Sequence, residues 1–186
     1  FASDEEREAY EAELCATVEA EGAALLKNEN NALPLASGAK VSLFGHGSVD
    51  LMYGGTGSGS VDTSKAPNLK QALEAQGITI NQTLWDLYSS DSMMSKYSRM
   101  TPASISDTLE ANTQYAVNEA PWSALSSAES SFAEYGDAAI VVLSRSGGEG
   151  ADLPSGENGT SDSWISGQEG DGNYLALSAE EIELLQ

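Results

Sequence analysis

Asp137-Ala-Ala-Ile-Val-Val-Leu143, running straight into Ser144-Arg-Ser-Gly-Gly-Glu-Gly150, is the stretch that decides the fold. Its apolar run is continuous. A strand with one wet face alternates apolar and polar residues, whereas a strand covered on both faces of a parallel sheet does not. Residues 137–143 are therefore read as a strand buried on both faces. Working outward, Lys40-Val-Ser-Leu-Phe-Gly45 reads as a short strand and Ile78-Thr-Ile80 as a further one. Helical spacing predicts a short helix over 68–76, an amphipathic one over 82–98 and another over 123–135. Residues 99–122 carry only a weak helical signal, between Ile105 and Ala116. Ser178 and Glu181 have the spacing of a capping box that opens a closing helix. Ser3 and Glu6 repeat that spacing ahead of a helix predicted over 4–27. There Leu14, Cys15, Val18, Gly22, Leu25 and Leu26 form one apolar stripe, which predicts core packing for Cys15. Strands alternating with helices give an α/β fold with a mostly parallel sheet flanked by helices. Three strands and a chain that stops inside a helix predict that this is an incomplete part of a larger domain, continuing past residue 186.

The composition narrows the partners. The chain has 186 residues, with 8 Lys and Arg against 29 Asp and Glu, a net charge of −21. Such a charge repels nucleic acid and anionic membrane surfaces, and no basic patch offsets it. At 40% hydrophobic residues the chain is not a disordered acidic tail. The single cysteine, Cys15, excludes an internal disulfide. No apolar run reaches the ~18 residues of a membrane span. The chain opens on Phe1 without a signal peptide, so it is expected to be an internal piece of a longer precursor.

Several residues are candidates for chemistry. The loop Gly55-Thr-Gly-Ser-Gly-Ser60 is rich in glycine, but it follows its strand at a distance and has Ser60 where a dinucleotide-binding fingerprint needs a third glycine. A nucleotide-phosphate cradle, a flexible turn and the lining of a polar pocket all remain open for it. Glu149 sits between Gly148 and Gly150 on the loop after the main strand. Ligands of open α/β sheets bind at the carboxyl ends of strands, which sets Glu149 apart from the other acids. A lone glutamate among 29 acidic residues is otherwise a solvated charge. The long polar segment 144–177 includes Asp152, Glu157, Asp162, Glu169 and Asp171. Their spacing does not match a calcium loop, and no metal site is expected. His46, the only histidine, has no nucleophile elbow to work with, and a structural role is expected for it. Asn81 and Asn158 head N-x-T sequons, which matter only in a eukaryotic secretory setting.

Three stretches together resemble glycoside hydrolase family 3, the β-glucosidase-like enzymes. Gly22-Ala-Ala-Leu-Leu-Lys-Asn-Glu-Asn-Asn-Ala-Leu-Pro-Leu35 is similar to the segment leading into that family's second domain. Lys40–Gly45 with Gly54-Gly-Thr-Gly-Ser-Gly59 is similar to that domain's first strand and glycine-rich loop. Asp137–Gly150 is similar to the strand and loop bearing the acid/base glutamate, and Gly172–Leu185 resembles the stretch that follows. The resemblance implies an α/β sandwich domain over 36–186, preceded by an N-terminal helix and linker over 1–35. It implies that a (β/α)8 barrel, absent from this chain, supplies the aspartate nucleophile. Glu149 would then be the general acid/base, with Ser58 and Gly57 contacting the sugar. The implied reaction is retaining hydrolysis of terminal non-reducing β-linked sugars, without a cofactor and with a carbohydrate as substrate. Ala151-Asp152 departs from the family's usual residues after the glutamate, which bears on the aglycone contacts. Two other readings of the residues stand beside this one: a non-catalytic acidic α/β ligand-binding module, and a Rossmann-like nucleotide binder.

Overall fold

The computed structural model describes residues 1–54, 57–59, 62–99, 117–145 and 175–186. Its contacts divide the chain into two units, Phe1–Leu35 and Ala36–Gln186.

In the first unit, helix α1 spans Asp4–Gly22, shorter than the predicted 4–27. The Ser3 hydroxyl accepts from the Glu6 N–H at 3.2 Å, as a cap should, but the Glu6 carboxylate takes the Ala2 N–H instead of the Ser3 N–H. Asp4, Glu5 and Glu6 lie at the positive end of the helix dipole. No residue of α1 is buried. Leu14, Val18 and Leu25 are exposed, Leu26 is 94% exposed, and Cys15 is an exposed free thiol. The predicted core role for Cys15 is therefore not met. A helical stripe is buried only where a second surface covers it, and residues 1–35 provide none. Past α1, Asn28 closes a turn: its amide donates to the Leu33 carbonyl at 2.9 Å and its side-chain oxygen accepts the Leu33 N–H at 3.0 Å. Asn30 and Asn31 sit in the left-handed region at φ 55°, which asparagine tolerates better than most residues.

The second unit is α/β. Strands β1 (Lys40–Phe44), β2 (Thr79–Ile80) and β3 (Ala138–Val141) form a parallel sheet in the order β2-β1-β3. Between β1 and β2 lies α2 (Leu69–Ala75), opened by a full capping box in which Asn68 and Gln71 serve each other's N–H. The segment predicted as one helix over 82–98 is two, α3 (Gln82–Tyr88) and α4 (Asp91–Lys96). Ser90 ends the first by bonding back to Leu87 O at 2.7 Å and caps the second by accepting the Met93 N–H. Residues 123–135 likewise break into a 3-10 turn at Trp122–Leu125 and one turn of helix, α5 (Glu129–Phe132). The closing helix α6 (Ala179–Leu184) has both halves of the Ser178–Glu181 capping box.

The burial expected on both faces of residues 137–143 is not met among the described residues. Central β1 is buried from Val41 to Phe44, while β3 has no buried residue and Ala139 is exposed. Among the described residues β3 pairs only with β1, so one edge and part of its faces stay open. Serine is unusual in a central strand, and Ser42 is satisfied there. Its hydroxyl donates to Tyr135 O at 3.2 Å and accepts from the Asn81 amide at 3.1 Å. Asn81, fully buried, also donates to Ser131 Oγ at 2.8 Å and caps α3 through Leu84 N–H. One side chain thus staples β1, α3 and α5, and a glycan on it has no room. The main hydrophobic cluster joins Phe44, Leu84, Tyr88, Met93, Ala120, Leu125, Ala128 and Leu184. Phe44, Trp122 and Phe132 form an aromatic trio, with Phe132 edge-on to Phe44 at 5.2 Å.

Candidate functional site

Because all three strands run parallel, their carboxyl ends meet at one sheet edge, where α/β folds bind ligands. Phe44 at the end of β1 pairs with Val141 at the end of β3. The glycine-rich loop leaves the first strand and the Glu149 segment leaves the second, so the two loops start from neighbouring strands.

Their first residues are tightly interlocked. Val142 N–H bonds to Phe44 O at 3.0 Å. Gly45 turns the chain at φ 85°, and a Cβ there would lie 2.8 Å from Val142 O. Glycine is required on both counts. The Gly45 N–H donates to the Tyr88 hydroxyl at 3.1 Å. Glu119, 4% exposed, accepts the backbone N–H of His46 at 2.9 and 3.1 Å and that of Ala120 at 2.8 Å. His46 Nδ1 is 3.0 Å from a Glu119 oxygen but out of line for a hydrogen bond. The imidazole is buried, and its nitrogens and the Ser48 hydroxyl have no hydrogen-bond partner. Burial, and then the charge of Glu119, push the Tyr88 phenol well above its usual range; the Gly45 hydrogen bond acts the other way.

Two arginines hold the bases of the loops. Arg99 pairs with the Asp50 carboxylate at 3.0 Å and donates to Asp50 O at 2.5 Å and Ser144 Oγ at 3.3 Å. It thereby joins the start of the glycine-rich loop to the end of β3. Arg145 grips Glu181 with both guanidinium nitrogens at 2.6 Å and donates to Ala176 O at 2.7 Å. Tyr53 closes the glycine-rich loop from the other side, through Pro67 O at 3.0 Å.

Of the residues predicted for the site, Ser58 lies exposed in a 3-10 turn, Gly57–Gly59, at the tip of that loop. Among the described residues, a Cβ on Gly59 would meet nothing within 4 Å. The turn does not open a helix, since α2 starts only at Leu69 with its own cap, and a dinucleotide phosphate finds no helix terminus next to the glycines. Glu149 lies outside the described residues, as do Gly55, Thr56, Ser60, Asn158 and the acidic positions 152, 157, 162, 169 and 171. The hydrogen bonds of His46 to Glu119 run through its backbone N–H. Among the described residues no group of three or more His, Cys, Asp or Glu could hold a metal ion. Sequence reasoning missed Arg99, Glu119 and Arg145 as framework residues. Their partners lie 49, 73 and 36 positions away, beyond any local pattern.

Comparison with known proteins gives two matches. The glycosyl hydrolase family 3 C-terminal domain matches residues 23–185 of the chain. "Beta-glucosidase A" of Butyrivibrio fibrisolvens is 34% identical over 146 residues, which is 75% of this chain and 15% of that protein. The chain therefore spans well under a fifth of that relative's length.

Proposed function

The chain belongs to glycoside hydrolase family 3, as part of its C-terminal domain, and from that premise we propose that it supplies the general acid/base of a retaining β-glycosidase. Glu149 is the acid/base, and a (β/α)8 barrel elsewhere in the same protein supplies the carboxylate nucleophile. The substrate is a terminal, non-reducing β-linked sugar, with Ser58 and the backbone around Gly57 as hydrogen-bonding contacts. The observation that carries this reading is the register of β1 and β3, from whose adjoining ends the segments bearing Ser58 and Glu149 both depart.

The chemistry sets physical demands on these residues. In the first step the nucleophile attacks the anomeric carbon while Glu149 gives its proton to the departing glycosidic oxygen. In the second, Glu149 takes a proton from water as that water attacks the glycosyl-enzyme ester and frees the nucleophile. Retention needs the two carboxyl groups ~5–5.5 Å apart. The acid must hold its proton near neutral pH, which burial beneath substrate and a nearby carboxylate both favour. Flanking glycines, Gly148 and Gly150, let a sugar approach the loop without a side-chain clash.

The test is a leaving-group series on the full-length enzyme. Glu149→Gln is expected to lower kcat/KM, which reports the glycosylation step, on poorly activated alkyl glycosides by about 10²–10⁴-fold, the usual worth of a general acid. Loss on dinitrophenyl glycosides should be much smaller, because that leaving group departs without a proton. An equal loss on both substrates would refute the assignment.

A further inference from the structure

We infer that Arg145 is a positioning residue that ties together the two ends of the segment carrying the acid/base. The inference rests on the proposed role of Glu149. Arg145 is the fourth residue before Glu149 and the fourth after the end of β3 at Val141. Its guanidinium does not reach toward the sheet edge as a free cation. Both of its terminal nitrogens meet the two Glu181 oxygens at 2.6 Å, and one also donates to Ala176 O at 2.7 Å. Glu181 is 1% exposed and held independently: one of its oxygens accepts the Ser178 N–H at 2.9 Å, and its own N–H is capped by the Ser178 hydroxyl. The partner is thus a preorganised carboxylate at the start of α6, and the bidentate fork fixes direction as well as distance.

The consequence lies in the connectivity. Residue 145 and residues 176–181 stand at the two ends of the segment 146–174. A free segment of that length pays the entropy of bringing its ends together, and a tether between the ends removes that freedom. Glu149 follows Arg145 by only four positions in the sequence, so the direction in which the chain leaves Arg145 bears on where its carboxyl group can stand. Displacement of a reacting group by about 1 Å costs on the order of 10²-fold in rate. Arg99 restrains the other side of the same junction through Ser144 Oγ at 3.3 Å. The chain therefore leaves β3 fixed on both sides.

The experiment uses the full-length enzyme. Arg145→Met alone leaves the Glu181 carboxylate buried without its partner and endangers the fold. The informative variant is Arg145→Met with Glu181→Gln, in which glutamine keeps the capping box and no buried charge is left unpaired. Amide hydrogen exchange is expected to quicken across 146–174 while the sheet keeps its protection. In the same variant, kcat/KM on alkyl glycosides should fall by roughly 10²-fold, with a smaller loss of kcat/KM on dinitrophenyl glycosides. Arg145→Lys, which keeps the charge but not the fork, should fall between this variant and the wild type. A folded double variant with wild-type exchange and wild-type kcat/KM overturns the inference. If Glu149→Gln itself shows no leaving-group dependence, the acid/base reading falls, and the exchange measurement still judges the tether on its own.

Discussion

Glu119 shows how much of this structure depends on single buried side chains. It satisfies two backbone N–H groups at the turn after β1, from His46 and Ala120. Glu119→Ala leaves both without an acceptor, and a loss of about 2–4 kcal/mol is expected in urea unfolding. Glu119→Gln, which keeps one acceptor, should cost less. Tyr88 adds a pH dependence whose sign is fixed. Its phenol is pushed up from 10.0 by burial and by Glu119, so the folded state keeps the proton longer than the unfolded state does. Its contribution to stability is fully present below about pH 10, where the unfolded phenol is also protonated, and is lost as pH rises from there toward the folded value. Unfolding free energy measured from pH 8 to 11.5 should fall in the upper part of that range, and the fall should shrink in Tyr88→Phe. At this scale the sequence was legible in part. The expectation of a structural role for His46 comes from the lack of a nucleophile elbow beside it, and the side chain is buried. The Glu119 hub could not, because one acid among 29 carries no local mark. Asn81 heads a sequon, yet the residue is fully buried and hydrogen-bonded to Ser42 and Ser131.

At the scale of elements, caps were more legible than lengths. The Ser178–Glu181 pair marked the start of α6 correctly, because the motif and its hydrogen bonds are local. Ser178→Ala is expected to cost about 1 kcal/mol, read as a lowered denaturant midpoint with an unchanged slope. Helix lengths were overread. The apolar spacing runs on through 82–98, but Ser90 competes for the backbone with its hydroxyl and splits the helix in two. The continuous apolar run of 137–143 predicts a strand buried on both faces, yet β1 holds the buried centre and β3, beside it, has no buried residue. An apolar run reports that a strand seeks cover, and neighbours supply it. Gly45 gives the sharpest test of the strand ends. Gly45→Ala combines φ 85° with a Cβ 2.8 Å from Val142 O. It should destabilise the second unit by at least ~2 kcal/mol, measured by thermal unfolding.

For the whole molecule, the family was legible because three motifs occur in order, and the match over 23–185 agrees with them. The α/β class was legible from alternation alone. The disposition of 146–174 was not, since its polar, glycine- and serine-rich sequence carries no period from which to place it, and 100–116 offers only the weak helical signal between Ile105 and Ala116. A charge of −21 suits a neutral sugar substrate better than a polyanion. On the proposed two-domain account the 186-residue chain alone should release no nitrophenol from an aryl glucoside, because the proposal assigns the nucleophile to the barrel. Calorimetric titration with NAD should likewise give no heat of binding. The most direct measurement is chemical rescue of Glu149→Ala in the full-length enzyme with azide and a dinitrophenyl β-glycoside. Removal of the acid/base leaves the glycosyl-enzyme able to form but slow to hydrolyse, and azide can attack it from the vacated face without a base. The account predicts faster turnover with azide and a β-glycosyl azide as product. An α-glycosyl azide, or turnover that azide does not change, would contradict it.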